Sequence, residues 1–256
     1  MKFGVQTFTV RRAQKRCIKD AYMPLIRLGI NRFEVARIKF NRRNAIKIKA
    51  LIDEYGIEIV SVQVKPKDVF KHTDRVVEFC NITGCKRVVI SMLPFKCILG
   101  SEASFYSFLS SLDSLCDTYA EQGIILAYHH HNWEYIRLSN GKTRMAELLD
   151  RTEKLKIVHD TYWTAKSGIS PESQIREFGN RLLGIHLRDL SFKKRGIDVI
   201  GCDAAIGDGV IDFSAVLMAA REVGCSYLVI EQNTKKPYRD IEKSFTRLNE
   251  MAKEIL

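Results

Sequence analysis

The chain has 256 residues, 46% of them hydrophobic, with five prolines and no Ser/Gly/Pro-rich linker. That fits one barrel-sized domain spanning 1–256 better than a string of modules. With no apolar run of about 18 residues, and no apolar stretch before a small-residue cleavage site in MKFGVQTFTVRRAQKRC, neither a membrane span nor a secretory leader is expected. Seven scattered cysteines without a CxxC pair read as reduced thiols of a cytoplasmic protein. Of the formal charge of +11, most is concentrated in residues 1–50, which carry fourteen Lys/Arg against two acidic residues. Such a region is either a solvated helix surface or a field that steers anionic substrates. Aromatics do not interleave with it regularly, which weakens a stacking platform for single strands, and no nucleic-acid partner is expected.

In chain order, short segments rich in Val and Ile recur as strand candidates. They are KFGVQTF (2–8), INRFEVA (30–36), IEIVSVQV (57–64), CKRVVISM (85–92), GIILAYHH (123–130), LKIVHDT (155–161), LLGIHLRD (182–189) and CSYLVIEQ (225–232). Helical stretches lie between them: RAQKRCIKDAYMPLIRLG, NAIKIKALIDEYG, DRVVEFCNITG, EASFYSFLSSLDSLCDTYAEQG and DFSAVLMAAREVG. The chain closes on YRDIEKSFTRLNEMAKEIL, whose apolar residues fall at helical spacing. Helices end at Gly29, Gly56, Gly84, Gly123 and Gly224, each just before a strand. Eight such alternations predict an α/β fold of the (β/α)8 TIM barrel type. A Gly-rich nucleotide fingerprint after the first strand is missing, and the one glycine cluster, IGDGVID (206–212), precedes a later helix.

Chemistry in such a barrel gathers at the carboxyl ends of the strands, and alternation assigns each side chain a direction. Ala127, His129 and His131 share one side; Tyr128 and His130 share the other. Asp160 goes with Val158, while His159 faces the helices. Gly184, His186 and Arg188 form one set, and Tyr227, Val229 and Glu231 another. Asp160, His186 and Glu231 thus converge, with Glu134 or a histidine arriving from the fifth strand. Carboxylates that converge repel one another, and a divalent cation relieves that repulsion. Each residue also has a plainer role. His186 suits a core histidine bonded to a carbonyl, Asp160 a turn cap, and Glu231 a partner of Arg188. His130 and His159 read as structural. Trp133 and Trp163 suit either packing or the apolar wall of a sugar pocket.

The pieces YHHHNWEY, HDTYWTAKSGISP, IHLRD, IGDGVIDF and YLVIEQ together resemble the sugar phosphate isomerase/epimerase family with its xylose isomerase-like TIM barrel, inosose dehydratase-like relatives included. The resemblance runs from GVQTF to VIEQN. It implies one divalent ion, Mn2+ first and Mg2+, Co2+ or Zn2+ as alternatives, held by Glu134, Asp160, His186 and Glu231, with His129 the alternative to Glu134. Gln63 stands near where many relatives place a substrate-contacting histidine. The abasic-DNA repair branch needs further histidines on the third and fourth strands, where this chain has none, and Trp163 stands three residues after Asp160.

The function implied is a metal-dependent isomerase or epimerase of a sugar or sugar phosphate, moving a proton next to a carbonyl through an enediolate. Glu134 and Glu231 would be the acid–base pair. His129, His131, Trp133, Trp163, Arg188 and Gln63 would contact a small sugar, polyol or sugar phosphate. The alternatives are an inosose dehydratase-like lyase that eliminates water from a keto-polyol and a non-catalytic carbohydrate-binding barrel. A homo-oligomer is compatible with the sequence.

Overall fold

The structure is a computed structural model and describes residues 1–255. Ten strands occur in it: β1 (Phe3–Gln6), β2 (Arg32–Ala36), β3 (Glu58–Val64), β4 (Arg87–Ile90), β5 (Ile125–His129), β6 (Lys156–Asp160), β7 (Leu182–Leu187), β8 (Asp189–Arg195), β9 (Asp198–Ala204) and β10 (Tyr227–Ile230). Eight of them close into a barrel in the order β1-β10-β7-β6-β5-β4-β3-β2, every pair parallel. All eight predicted strand segments form barrel strands, and the (β/α)8 expectation is met. No helix among the described residues is long and apolar enough to cross a membrane.

The helices form because each buries one stripe on the barrel. In Arg42–Tyr55 the buried residues are Ala45, Ile48 and Leu51, at helical spacing. Asn41 accepts the Asn44 N–H to start this helix, and Gly56 ends it in the left-handed conformation at φ 64°. Two predicted helices are instead broken. The first splits at Cys17, whose extended backbone separates Arg11–Arg16 from Ile18–Arg27. The segment 102–123 splits after Leu109, where the Ser110 and Ser111 hydroxyls bond back to the carbonyls of Ser107 and Phe108 and compete with the helical ladder.

Two register shifts steer the interior. β3 carries an extra residue opposite the Phe33/Glu34 step of β2, so Glu34 pairs with Ser61. A second shift between β6 and β7 brings Asp160 level with His186. Inside the barrel, Val60, Val89, Ala127, Val158, Leu183, Tyr227 and Val229 form a small apolar plug beneath the polar layer. A Cβ on Gly184 would lie 2.2 Å from the Tyr227 ring, so glycine there makes room for the ring of its register partner on β10.

The segment predicted as one strand over 182–189 ends at Leu187. β8 and β9 then form an antiparallel hairpin outside the barrel, around a two-residue loop that opens on Gly196 at φ 64°. The IGDG loop that follows is tied down by Asp189. Its carboxylate accepts the backbone N–H groups of Gly207 and Gly209, each at 2.9 Å, and of Leu190 at 2.8 Å.

Candidate metal centre

Alternation along the strands delivers the inward side chains as the sequence predicts. His129 ends β5, Asp160 ends β6, His186 lies in β7 and Glu231 follows β10. One donor atom from each of these four lies within 4.8 Å of the others, and all four residues are buried. His129 Nε2 is 3.4 Å from Asp160 Oδ2, and His186 Nδ1 is 2.9 Å from Glu231 Oε2. On the far side of its ring, His186 Nε2 lies 2.7 Å from Glu34 Oε1. The Glu34 carboxylate is gripped in turn by the hydroxyls of Ser61 and Tyr227.

Burial alone would lower the His186 pKa, but the flanking carboxylates of Glu34 and Glu231 outweigh it and lift it to about 10. Burial likewise opposes ionisation of Asp160, Glu34 and Glu231. The Arg188 guanidinium and the His129 side chain hold Asp160 well below the usual carboxylate range. His186 lowers the pKa of Glu34, and Arg188 with His186 lowers that of Glu231.

Arg188 is the second organising element. Its Nη1 lies 3.2 Å from Asp160 Oδ2 and 3.4 Å from Glu231 Oε1, while its Nη2 and Nε reach Asp203 of β9 at 2.9 and 3.0 Å. The guanidinium lies 4.7 Å from the centre of the Tyr162 ring and 5.4 Å from that of Trp163. Asp160 also performs the plainer role read from sequence, because its Oδ1 accepts the Trp163 N–H at 3.0 Å and caps the helix Thr161–Lys166. The Trp163 ring lies 5.2 Å from His131, and His131 stands edge-on to His129 at 4.8 Å. Gln63 accepts from Gln6 at 3.0 Å on the same inner face.

Glu134 is not brought to this cluster. β5 ends at His129, and the chain turns into the short helix Asn132–Tyr135. There the Glu134 carboxylate folds back to accept the His131 N–H at 2.7 Å and the hydroxyl of Tyr128, which points to the helix side. Burial raises its pKa despite these bonds. The fifth-strand member of the cluster is therefore His129. Trp133, on the same turn, is half-buried, and its carbonyl accepts from Arg144 at 3.3 Å. His130 and His159 pack on the helix side as expected, 3.2 Å apart between Nε2 and Nδ1. Sequence reasoning missed Glu34 and Asp203. The available signal for Glu34 was a lone carboxylate between Phe33 and Val35, on the same strand side as Ala36.

The cluster passes a test of fit for a cation. Among the described residues, His186 Nδ1, His186 Nε2, Glu34 Oε1 and Glu231 Oε2 are buried and lack an aligned hydrogen-bond partner, although His186 is at ion-pair distance from both carboxylates. Buried polar atoms are rarely left so. Two imidazole nitrogens and two carboxylates suit a borderline divalent ion. These features define a (β/α)8 barrel whose strand-end cluster could hold a metal.

The pattern of the xylose isomerase-like TIM barrel matches residues 25–253, and the chain belongs to that family. The inosose dehydratase of Geobacillus thermodenitrificans is 28% identical over 127 residues, covering 45% of this chain and 42% of that protein. The match thus spans less than half the length of that curated relative. Among solved structures, a sugar phosphate isomerase/epimerase from Parabacteroides distasonis superposes with a TM-score of 0.78 at 19% identity, over 96% of this chain and 93% of that one. The IOLI protein with a bound zinc atom superposes with a TM-score of 0.69 at 16% identity, over 100% and 98%. At these identities the structural likeness speaks for the fold.

Proposed function

We propose that the protein is a divalent-metal-dependent isomerase or epimerase of a sugar or polyol, working by proton transfer next to a carbonyl. The observation that carries this reading is the buried set His129, Asp160, His186 and Glu231, with His186 Nδ1 and Glu231 Oε2 facing each other without an aligned hydrogen bond. These four residues would hold the ion. When bound, the ion supplies a Lewis acid that polarises a carbonyl oxygen and offsets the negative charge that develops there.

The chain's own groups do the rest. The Glu231 carboxylate takes and returns the proton, kept ionised by Arg188 and His186. His131 is the partner on the fifth-strand side. Burial lowers its pKa, so it is a neutral imidazole at neutral pH. Glu134 then acts indirectly, by fixing the turn that carries His131. Arg188 neutralises a substrate oxygen, Trp163 walls the pocket, and Gln63 contacts a hydroxyl. Manganese, the ion expected from the sequence, is accommodated by the two carboxylates, and zinc fits the two imidazoles.

Similarity to inosose dehydratase supports a second reading, in which the same proton abstraction is followed by loss of a β-hydroxyl. The test incubates the metal-loaded protein in D2O with ketoses and inososes. Deuterium at the carbon next to the carbonyl without loss of water favours the isomerase, and dehydration favours the lyase. No exchange with any carbonyl substrate contradicts both.

A further inference from the structure

The basic excess of the first fifty residues divides into two groups in space. On the outer surface, Lys19, Arg32 and Arg42 pair with Glu54, Glu58 and Glu78 at 3.0, 2.9 and 2.8 Å, and Lys49 pairs with Asp53. Arg11 and Arg37 differ. They follow the carboxyl ends of β1 and β2, on the side of the barrel where the His129–Glu231 cluster lies. Both guanidiniums lie against the half-buried Phe8 ring, 3.9 and 5.3 Å from its centre. Arg11 donates to neutral oxygens, the Phe8 carbonyl at 2.9 Å and Asn233 Oδ1 at 2.8 Å. Among the described residues, neither arginine has a carboxylate at ion-pair distance.

Arg37 is also the one non-glycine residue with positive φ among those described, at 60°. A left-handed arginine is strained relative to glycine at the same place. From that position its guanidinium stands over Phe8 rather than over a carboxylate. Asn233 connects this pair to the reaction centre: its N–H reaches Asp203 Oδ1 at 3.1 Å, Asp203 holds Arg188 at 2.9 Å, and Arg188 contacts Glu231 at 3.4 Å. Two like charges gathered on one ring repel until an anion bridges them. In keeping with that crowding, partial burial and the guanidiniums of Arg12 and Arg37 depress the Arg11 pKa, and the more distant carboxylates of Glu231 and Asp203 offset this only in part.

We infer that Arg11 and Arg37, on the Phe8 platform, form an oxyanion subsite beside the strand-end cluster, so that the substrate is a polyol bearing a phosphate or carboxylate group. This rests on the reading of that cluster as the reaction centre. A ligand whose carbonyl end lies at Glu231 and whose anionic end lies at Phe8 would span the mouth of the barrel along the Arg188–Asp203–Asn233 relay.

The test titrates inorganic phosphate and, separately, gluconate into the metal-loaded protein, with glucitol as the neutral control. Each titration is repeated with Arg37→Gln and Arg37→Gly. At least one anion is expected to bind the unaltered protein about tenfold more tightly than glucitol and to lose about tenfold in both variants, and its binding should weaken with added NaCl. Arg37→Gly should also raise Tm, because glycine takes the left-handed backbone without strain; more stability with less anion binding separates a ligand site from a structural arginine. Preference for phosphate assigns a phosphomonoester, and preference for gluconate a carboxylate. Anion binding no tighter than glucitol, or unchanged in both variants, overturns the subsite. Metal content is read on the same samples. An intact ion with unchanged anion affinity removes only the subsite, whereas an unaltered protein that holds no ion strikes the metal-centre reading itself.

Discussion

The inner and outer faces of the same strand ends carry the same residue types and put them to opposite uses. Facing inward, His186 lies between Glu34 and Glu231, and its imidazole is drawn towards the charged form. Facing outward, His130 and His159 lie against each other and Phe178, with no carboxylate at ion-pair distance among the described residues; burial drives both towards the neutral form, His130 to about 3. The same contrast separates Glu231, ionised within the barrel, from Glu134, buried behind β5 with a raised pKa. Composition does not distinguish these pairs. One step along a strand does, because it decides whether a side chain meets converging charges or the helix layer.

Substitutions on the two faces should therefore fail differently. The largest effect is expected from Glu231→Gln, which removes the inward base and should lower turnover by roughly 10²–10⁴-fold with the fold intact by circular dichroism. Turnover at the level of the unaltered protein would take Glu231 out of the reaction. On the outer face, His159→Ala should instead lower unfolding stability by about 2–4 kcal/mol through lost packing against Phe178 and His130. It should keep the bound ion, as denaturant titration and metal analysis would show.

A third expectation concerns pH. Without metal, the raised pKa of His186 contributes stability in full below its unfolded value near 6.5, and that contribution is lost as pH rises through about 10. A bound ion takes the place of the proton, so the rise in Tm on adding metal should grow across that window. A metal-induced shift that shrinks from pH 6.5 to 9 would contradict the placement of His186. The smallest effect is expected from Asp203→Asn, which leaves Arg188 in place but removes the charge facing it. A loss of about 1 kcal/mol, roughly fivefold in kcat/KM, is predicted.

Much of this was legible in the sequence because five of the eight barrel strands announce themselves twice, by Val/Ile enrichment and by position after a helix-ending glycine. Strict alternation then assigned Val158 and Asp160, Gly184 and His186, and Val229 and Glu231 to the interior. The reading failed where local geometry departs from alternation. The chain leaves β5 just after His129, so Glu134 lies on a turn whose own capping needs claim its carboxylate. The shift that sets Ser61 beside Glu34 depends on an extra residue in β3 that no local pattern marks. Asp203 reaches Arg188 only because SFKKRGIDVIGCDA folds back as a hairpin, a long-range pairing hidden within a polar, glycine-containing stretch.

The most direct test of the central claim counts divalent ions bound per chain in the unaltered protein, in His129→Ala and in Glu134→Gln, after purification without chelators and dialysis against a limiting metal buffer. One ion per chain is predicted in the unaltered protein and in Glu134→Gln. In His129→Ala, affinity should fall by more than the roughly 10–100-fold typical of losing an outer partner. An ion that survives in His129→Ala and is lost in Glu134→Gln would contradict the account.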